Sequence, residues 1–544
     1  MAQAMAAAGS TAIASETAAS LNQPALSVWL NGFIISIASA ALFLPLSQAA
    51  DYFGQKIFIL IPSIVAVIGF LIVSRAENAA TAIAGHSIGG VGLSYQPLLY
   101  IAASETMPRR CRPLAQASLS VTTAVGGVIG TLAASSFLPG GNIENNRIFW
   151  YIVTAINALA AIAVYLGFRP AARGPQSELT TKQKVCTMDW VGYVLIVFGF
   201  ILIPVASRFY GNTYNWDSPR ILGPFVTGFG IFGILIIHEM RFHGDVMFKR
   251  ALLMHRDFGI ANNILYFASF SLLTSSAFLA VEAGVLFHLD TFHFSLRNLT
   301  MFLSTILFAP LVALYSSWRK TLRQPLISGY VALLVFNILM ATIRPATSPN
   351  VLWGYPILLG FAMGTILPSA ITAAQLSVAP GMISIATGLL MAFKTIGTGL
   401  AGIVNSVIFQ KTLPPNLGSK VATALLPLGI QPERLGDIIQ ALNTGDLSLV
   451  GKVLNGDPQA IQGALVAFSE AYALSFRYLW ICASAAAAVG LIASIFVHEN
   501  ESLFNEEAEE APITPRPFGA KSGDEAGATH IEAVDSNSVP SREE

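Results

Sequence analysis

The sequence has few charged residues. Only 11% of its 544 residues are Asp, Glu, Lys or Arg, against about 25% in soluble globular proteins. The formal net charge is zero, so nothing indicates a nucleic-acid partner. The chain has three cysteines, Cys111, Cys186 and Cys482, which are scattered without metal-ligand spacing. A protein surface exposed to water on all sides needs more charge than this. The low charge content therefore argues against an ordinary soluble globular protein.

Long apolar runs take the place of charge, and 54% of the residues are hydrophobic. A bilayer core of about 30 Å requires about 20 apolar residues per helix, and a backbone inside it must satisfy its own hydrogen bonds. We therefore predict an all-α polytopic membrane protein with thirteen spans, at residues 27–49, 57–74, 80–103, 114–138, 148–168, 190–207, 221–238, 258–284, 297–317, 325–344, 351–373, 383–409 and 474–497.

The distribution of lysine and arginine predicts the orientation, since these residues mark cytoplasmic connections. Alternate connections, beginning with the one that holds Lys56, contain fifteen of them, and the opposite short connections contain six. The Lys56 side is therefore expected to be cytoplasmic. Residues 1–26 become an external segment, and residues 411–473 become a large external connection of amphipathic helical character. Residues 499–544, rich in Glu, Pro, Ser and Gly, are expected to be a disordered, acidic cytoplasmic tail.

The connection DYFGQK places Asp51, Gly54 and Lys56 between the first two predicted spans. Glycine permits a sharp turn there, and the charged pair would serve equally well as a simple membrane anchor. The motif resembles the Asp-x-x-Gly-x-Lys core of the signature loop of the major facilitator superfamily. That resemblance implies that Asp51 belongs to a charge network that locks and releases two helix bundles.

The third span and its exit, AIAGHSIGGVGLSYQPLLYIAASETMPRRCRP, are similar to the fungal trichothecene efflux pump family. This family belongs to the fourteen-helix drug:proton antiporter branch, which also includes siderophore transporters. Gln96, Glu105 and Arg112 match its pattern, and Arg109 lies in the same basic connection. The segment FYGNTYNWDSP (209–219) resembles an external segment of the family.

The resemblance implies two helix bundles with two extra helices between them. The N-terminal bundle is expected at residues 27–168, the extra pair at 169–257 and the C-terminal bundle at 258–498. In this alignment the first predicted span corresponds to the second helix of the family, so the first family helix is expected to be missing.

Polar residues inside the spans are candidates for a substrate or proton pathway, because charge in mid-membrane is costly and usually faces a cavity. Each could instead be structural: a lysine paired with an acid, a satisfied histidine, or polar contacts between helices. The candidates are His86, Gln96, Asn262, Tyr266, Glu282, Lys394 and Asn405.

We expect a proton-coupled exporter of an amphipathic small molecule, which the resemblance suggests is a fungal secondary metabolite or toxin. Two alternatives stay open: uptake of a ferric siderophore, and a truncated relative that transports nothing. No cluster of catalytic or metal-ligating residues suggests an enzyme, and no cofactor or metal is expected. The protein is expected to be a monomer in the lipid bilayer of the plasma membrane, or alternatively the vacuolar membrane.

Overall fold

The structure is a computed structural model that describes residues 1–21, 23, 26–30, 32–137, 143–170, 180–209, 218–241, 252, 255–378, 382–428, 430–444, 447–454, 457–499 and 504. All regular secondary structure in these residues is helical. The segment 210–217 and nearly all of the expected tail lie outside the described residues, so the expectations for them are not addressed by the structure.

In the described residues, the first half of the chain forms ten helices of eight or more residues, besides the short helices Ser27–Leu30 and Thr181–Thr187. They are α1 (Ala2–Ser20), α2 (Phe33–Ala40), α3 (Phe43–Phe53), α4 (Gln55–Ser74), α5 (Ala79–Gly92), α6 (Gln96–Glu105), α7 (Arg112–Phe137), α8 (Ile143–Gly167), α9 (Trp190–Phe209) and α10 (Pro219–Arg241).

The second half forms eight more. They are α11 (Arg256–Phe287), α12 (Thr291–Arg319), α13 (Arg323–Ala341), α14 (Val351–Leu376), α15 (Ile383–Leu425), α16 (Leu435–Thr444), α17 (Leu447–Val453) and α18 (Pro458–Ile495).

In the described residues, ten helices are long and apolar enough to cross a membrane, and twelve spans result if each of two bent pairs counts as one. One pair, α2 with α3, bends by 43°, and the other joins Thr181–Thr187 to α9 with a bend of 52°. The third predicted span is also broken, into α5 and α6. Every predicted span overlaps a helix of the structure.

Residues 2–20 differ from the expected external segment, because they form α1 inside the N-terminal bundle. Met5 and Ala6 are fully buried, and α1 packs along α7. A Cβ atom added to Gly126 of α7 would lie 2.3 Å from the Met1 carbonyl oxygen. One added to Gly130 would lie 2.6 Å from the Met5 carbonyl oxygen, so the two helices are in close contact. The expectation that the first family helix is missing stays a prediction. Hydropathy does not reveal α1, since it packs through small side chains rather than long apolar ones.

The helices form two bundles, and the larger of their two main apolar clusters also includes residues of α2, α3 and α6. The N-terminal core contains Met5, Phe70, Leu98, Phe149 and Trp150, and it joins α1 to α8. A larger core joins α11 to α15 and α18. The extra pair α9 and α10 packs onto this second core and contacts the N-terminal bundle through the Tyr193 hydroxyl, which donates to Gln48 Oε1 at 3.0 Å.

The large connection expected at residues 411–473 is helical. Helix α15 continues to Leu425 and α18 begins at Pro458, so both extend beyond the predicted spans. With α16 and α17, these extensions enclose a separate small core of Val421, Leu425, Ile438, Val450 and Ala464. Lys420 and Glu470 form an ion pair of 2.8 Å across the two extensions.

Candidate functional site

A cavity of about 370 Å³ lies where the two bundles face each other. Phe43, Leu99 and Leu119 form apolar parts of its wall. Its polar residues come from α1, α2, α6, α7 and α15 and are Gln3, Ser36, Ser39, Tyr95, Gln96, Tyr100, Thr122, Thr123, Lys394, Thr395 and Thr398. Gln3 Nε2 donates a hydrogen bond to Gln96 Oε1 at 3.1 Å, which ties α1 to α6 at this wall.

Lys394 carries the only charged side chain among the described residues that line this cavity. It lies about three turns after the start of α15 and is half-buried. Its ammonium group makes no hydrogen bond or ion pair with any described residue. Ion pairs do occur elsewhere in the described chain, between Asp189 and His238 and between Glu470 and Lys420. The expected alternative, a structural lysine paired with an acid on a neighbouring helix, is therefore not seen in the described chain.

Six hydroxyl groups of the cavity wall have already used their only proton. Each donates to a backbone carbonyl three or four residues earlier in its own helix, at distances between 2.7 and 3.0 Å: Ser36, Ser39, Thr122, Thr123, Thr395 and Thr398. A hydroxyl oxygen in this arrangement keeps lone pairs that accept hydrogen bonds. Toward the cavity these groups act as acceptors.

One end of the cavity is closed by a cluster of neutral polar side chains, Ser104, Gln116, Gln375 and Thr387, which we name the amide cluster. Gln375 Oε1 accepts from Ser104 Oγ at 2.5 Å and from Gln116 Nε2 at 3.1 Å. Gln375 Nε2 donates to Thr387 Oγ1 at 3.0 Å. Gln375 belongs to the C-terminal bundle, whereas Ser104 and Gln116 belong to the N-terminal bundle, so these bonds join the bundles directly.

The amide cluster lies one or two helical turns from the cavity. Ser104 follows the cavity residue Tyr100 by one turn of α6, and Thr387 precedes Lys394 by two turns of α15. All four side chains of the cluster are fully buried. Because buried polar groups are costly without partners, this arrangement favours the closed form of this end.

The Asp51–Lys56 connection lies at the same end, which we name the Lys56 end. Gly54 has φ of +96°, a left-handed conformation that favours glycine, and it separates α3 from α4. Gln55 Nε2 donates to Glu105 Oε2 at 2.8 Å, so the connection contacts the end of α6. Lys56 Nζ donates to the Tyr165 carbonyl oxygen at 2.8 Å and lies over its ring, as an anchoring residue would.

The predicted gating residues lie near helix ends at the Lys56 end. Asp51 lies in the last turn of α3, and Glu105 is the last residue of α6. Arg109 lies in the short turn that leads into α7. Arg112 is fully buried at the start of α7. These positions are compatible with the predicted charge network between helices at the closed end.

His86 and Glu282 lie away from the cavity, inside separate bundles. His86 Nδ1 bonds to the Ala82 carbonyl at 2.8 Å, and its ring packs edge-on against Trp150 at 5.0 Å between centroids. Glu282 is buried in the C-terminal bundle, where its Oε2 accepts from Trp480 Nε1 at 2.7 Å. These surroundings are those of partnered interior groups.

Three further candidates also lie outside the cavity. Asn405 Nδ2 donates to Thr274 Oγ1 at 2.9 Å and so connects α15 to α11. Gly397 of α15 packs directly on the Tyr266 backbone of α11, and Asn262 is buried on the same helix. This polar stripe of α11 contributes to helix packing, whereas Gln96 and Lys394 line the cavity.

Sequence analysis did not identify Gln116 and Gln375. A signal was present, since Gln116 is an uncharged amide one turn after the start of α7 and Gln375 is one at the end of α14. An amide there has to find a partner, but the sequence does not say on which helix. No group of three or more His, Cys, Asp or Glu side chains in the described chain could hold a metal ion.

Two helical bundles around a cavity near mid-span define a membrane protein with the architecture of a secondary transporter. The model of the Major Facilitator Superfamily matches residues 1–402, and the chain belongs to this superfamily.

Its relatives include fungal transporters. The probable efflux pump gsfJ of Penicillium aethiopicum is 26% identical over 352 residues, which are 64% of this chain and 61% of that protein. The MFS-type transporter pgmG of Aspergillus terreus is 25% identical over 468 residues, 82% of this chain and 78% of the relative. The chain thus aligns with less than two thirds of gsfJ.

Among solved structures, a bacterial homolog of the human lysosomal transporter Spinster, inward-facing and occupied, is similar with a TM-score of 0.51 and 14% identity. The match covers 91% of this chain and 94% of that one. At this identity the likeness supports the fold alone.

Proposed function

We propose that this protein exports an amphipathic small molecule, such as a fungal secondary metabolite or toxin, in exchange for protons. The observation that carries the proposal is the cavity between the bundles, whose wall combines apolar surface with a few neutral polar groups and Lys394. Such a wall suits an organic compound with one polar end. The fungal relatives, one of them named a probable efflux pump, support export over uptake.

In the proposed cycle the two bundles rock about the cavity and expose it to each side of the membrane in turn. The Lys56 end, which we assign to the cytoplasm, is closed by the amide cluster and by the neighbouring residues Asp51, Glu105, Arg109 and Arg112. Substrate enters from the cytoplasm only after the hydrogen bonds from Gln375 to the N-terminal bundle have broken.

We further propose that Glu282 exchanges the coupling proton, because a buried carboxyl with one neutral donor can exist with or without it. His86 is a second candidate, held by contacts inside the N-terminal bundle. The protein is proposed to act as a monomer in the plasma membrane, with its C-terminus in the cytoplasm.

The test is accumulation of a panel of labelled fungal metabolites in energised cells that express the full chain, with and without a proton ionophore. Cells lacking the protein provide the control. A lower accumulation that the ionophore abolishes is expected for at least one compound. An ionophore-sensitive rise would instead indicate uptake, as for a siderophore transporter, and no effect on any compound would contradict the proposal.

A further inference from the structure

The Lys394 ammonium group has no anionic partner in the described chain. A charged side chain near mid-membrane costs roughly 2.5–3.5 kcal/mol on insertion scales. Such groups are normally paired, yet the described chain provides no anion for the Lys394 ammonium group. Its three N–H donors lie at a wall where a ligand can reach them. An anionic group on the ligand would supply the missing partner.

The serine and threonine hydroxyls of the cavity need a different partner, namely a hydrogen-bond donor on the ligand. The hydroxyls of Thr122, Thr123, Thr395 and Thr398 donate to their own helices and offer only lone pairs to a ligand. Ser36 and Ser39 do the same on the facing wall. Hydroxyl groups on the ligand would satisfy these acceptors, whereas a carbonyl or ether oxygen placed against the same groups would meet lone pairs.

The apolar part of the wall and the volume limit the rest of the ligand. Phe43, Leu99 and Leu119 provide a surface for rings or an aliphatic chain. A volume of about 370 Å³ falls at the lower end of the range of about 300–1,000 Å³ found for pockets that hold drug-sized molecules. Lys394 is the only charged side chain among the described lining residues, so an acidic group on the ligand has one side-chain partner of opposite charge.

We infer that the cavity selects an amphipathic organic acid that also carries hydroxyl groups, with its acidic group bound at Lys394 Nζ and its hydroxyls donating to the threonine and serine oxygens. This inference rests on the proposed function, since it names the substrate class of the same cavity. It makes Lys394 the residue that determines charge specificity.

A matched set of three probes tests the inference: 6-hydroxy-2-naphthoate, whose hydroxyl is too far from the carboxylate to bond to it, its neutral carboxamide, and 2-naphthoate, which lacks the hydroxyl. Dissociation constants are measured by equilibrium dialysis against the purified full chain in detergent micelles, with empty micelles as the blank. The protein variants are Lys394→Gln, Lys394→Arg and the control Lys420→Gln. Lys420 lies on the same helix α15 but outside the cavity, in an ion pair with Glu470.

The wild type is expected to bind the hydroxynaphthoate on the order of tenfold more tightly than the carboxamide, because the ammonium group is left unpaired with the neutral probe. Lys394→Gln should remove this preference, Lys394→Arg should retain it, and Lys420→Gln should leave all three constants unchanged. Loss of the hydroxyl should weaken binding by a few-fold, corresponding to one hydrogen bond.

Equal affinity of the wild type for naphthoate and carboxamide would overturn the inference, and it would indicate that Lys394 serves another purpose, such as proton transfer. An unchanged preference in a monodisperse Lys394→Gln protein, or no binding of any probe, would also overturn it. The proposed function would survive these outcomes if the cells still exported neutral compounds, and it would fail separately if they exported nothing.

Discussion

Replacing Gln375 by leucine tests the closed end of the cavity, because it removes the side chain that joins the two bundles. Leucine has a similar size, and the two N-terminal-bundle donors bonded to Gln375 keep another partner. Gln116 Nε2 still reaches the Tyr100 carbonyl oxygen at 3.0 Å, and Ser104 Oγ reaches the same oxygen at 3.0 Å. The change therefore weakens contact between the bundles, and within the C-terminal bundle it removes only the bond from Gln375 Nε2 to Thr387 Oγ1 among those described.

The expected magnitude follows from the hydrogen bonds that are lost. Gln375 accepts two bonds from the N-terminal bundle, and a neutral hydrogen bond contributes about 0.5–1.5 kcal/mol net. Their loss should favour the open form of the Lys56 end by about 1–3 kcal/mol, which corresponds to about 5- to 150-fold in the ratio of open to closed protein.

Distances between spin labels at Arg169 and Arg319 measure this opening. Both positions are exposed at the Lys56 end, one after α8 and one at the end of α12, and the three cysteines are replaced by serine. Gln375→Leu should add a longer component to the distance distribution. Gln462→Leu, an exposed position on the α18 extension, is the matched control. Distributions that are identical for the two variants would refute the role assigned to the amide cluster.

Three other substitutions give separate tests. Asp51→Asn should stop transport while the amount of protein in the membrane stays unchanged, and wild-type transport rates would contradict its gating role. Glu282→Gln retains an oxygen that accepts from the neighbouring indole but cannot exchange a proton, so export should lose its ionophore sensitivity; full sensitivity would exclude this residue as the proton carrier. Gly130→Val places a side chain against α1 and should destabilise the protein by roughly 1–3 kcal/mol, seen as a lower midpoint of thermal unfolding in detergent. Gly233→Val, with no atom within 4 Å of the added Cβ, should leave that midpoint unchanged.

The membrane helices could be predicted from the sequence because each predicted span depends on its own local composition. Helix α1 could not, since its alanines, serines and threonines do not form a long apolar run and it packs through the glycines of α7. The extensions of α15 and α18 were missed for a similar reason. Their polar, amphipathic sequence indicates helix but not where the helix is packed.

The candidate site was less accessible to sequence reasoning, because its residues are far apart in the chain. Lys394 and Gln96 stood out as polar groups in apolar helices, and both line the cavity. Ser104 and Gln375 are 271 positions apart, and their contact depends on how the two bundles meet. Neither bundle alone contains the information that these two side chains form a hydrogen bond.

The most direct test of this account is to lock the bundles together at the amide cluster and measure transport. Ser104→Cys and Gln375→Cys are introduced into the chain without its native cysteines and joined by a short, reducible crosslinker. Export of a substrate identified in the cell assay should cease after crosslinking and return after reduction, because the Lys56 end can no longer open. Undiminished export by fully crosslinked protein would contradict transport through this cavity by separation of the two bundles.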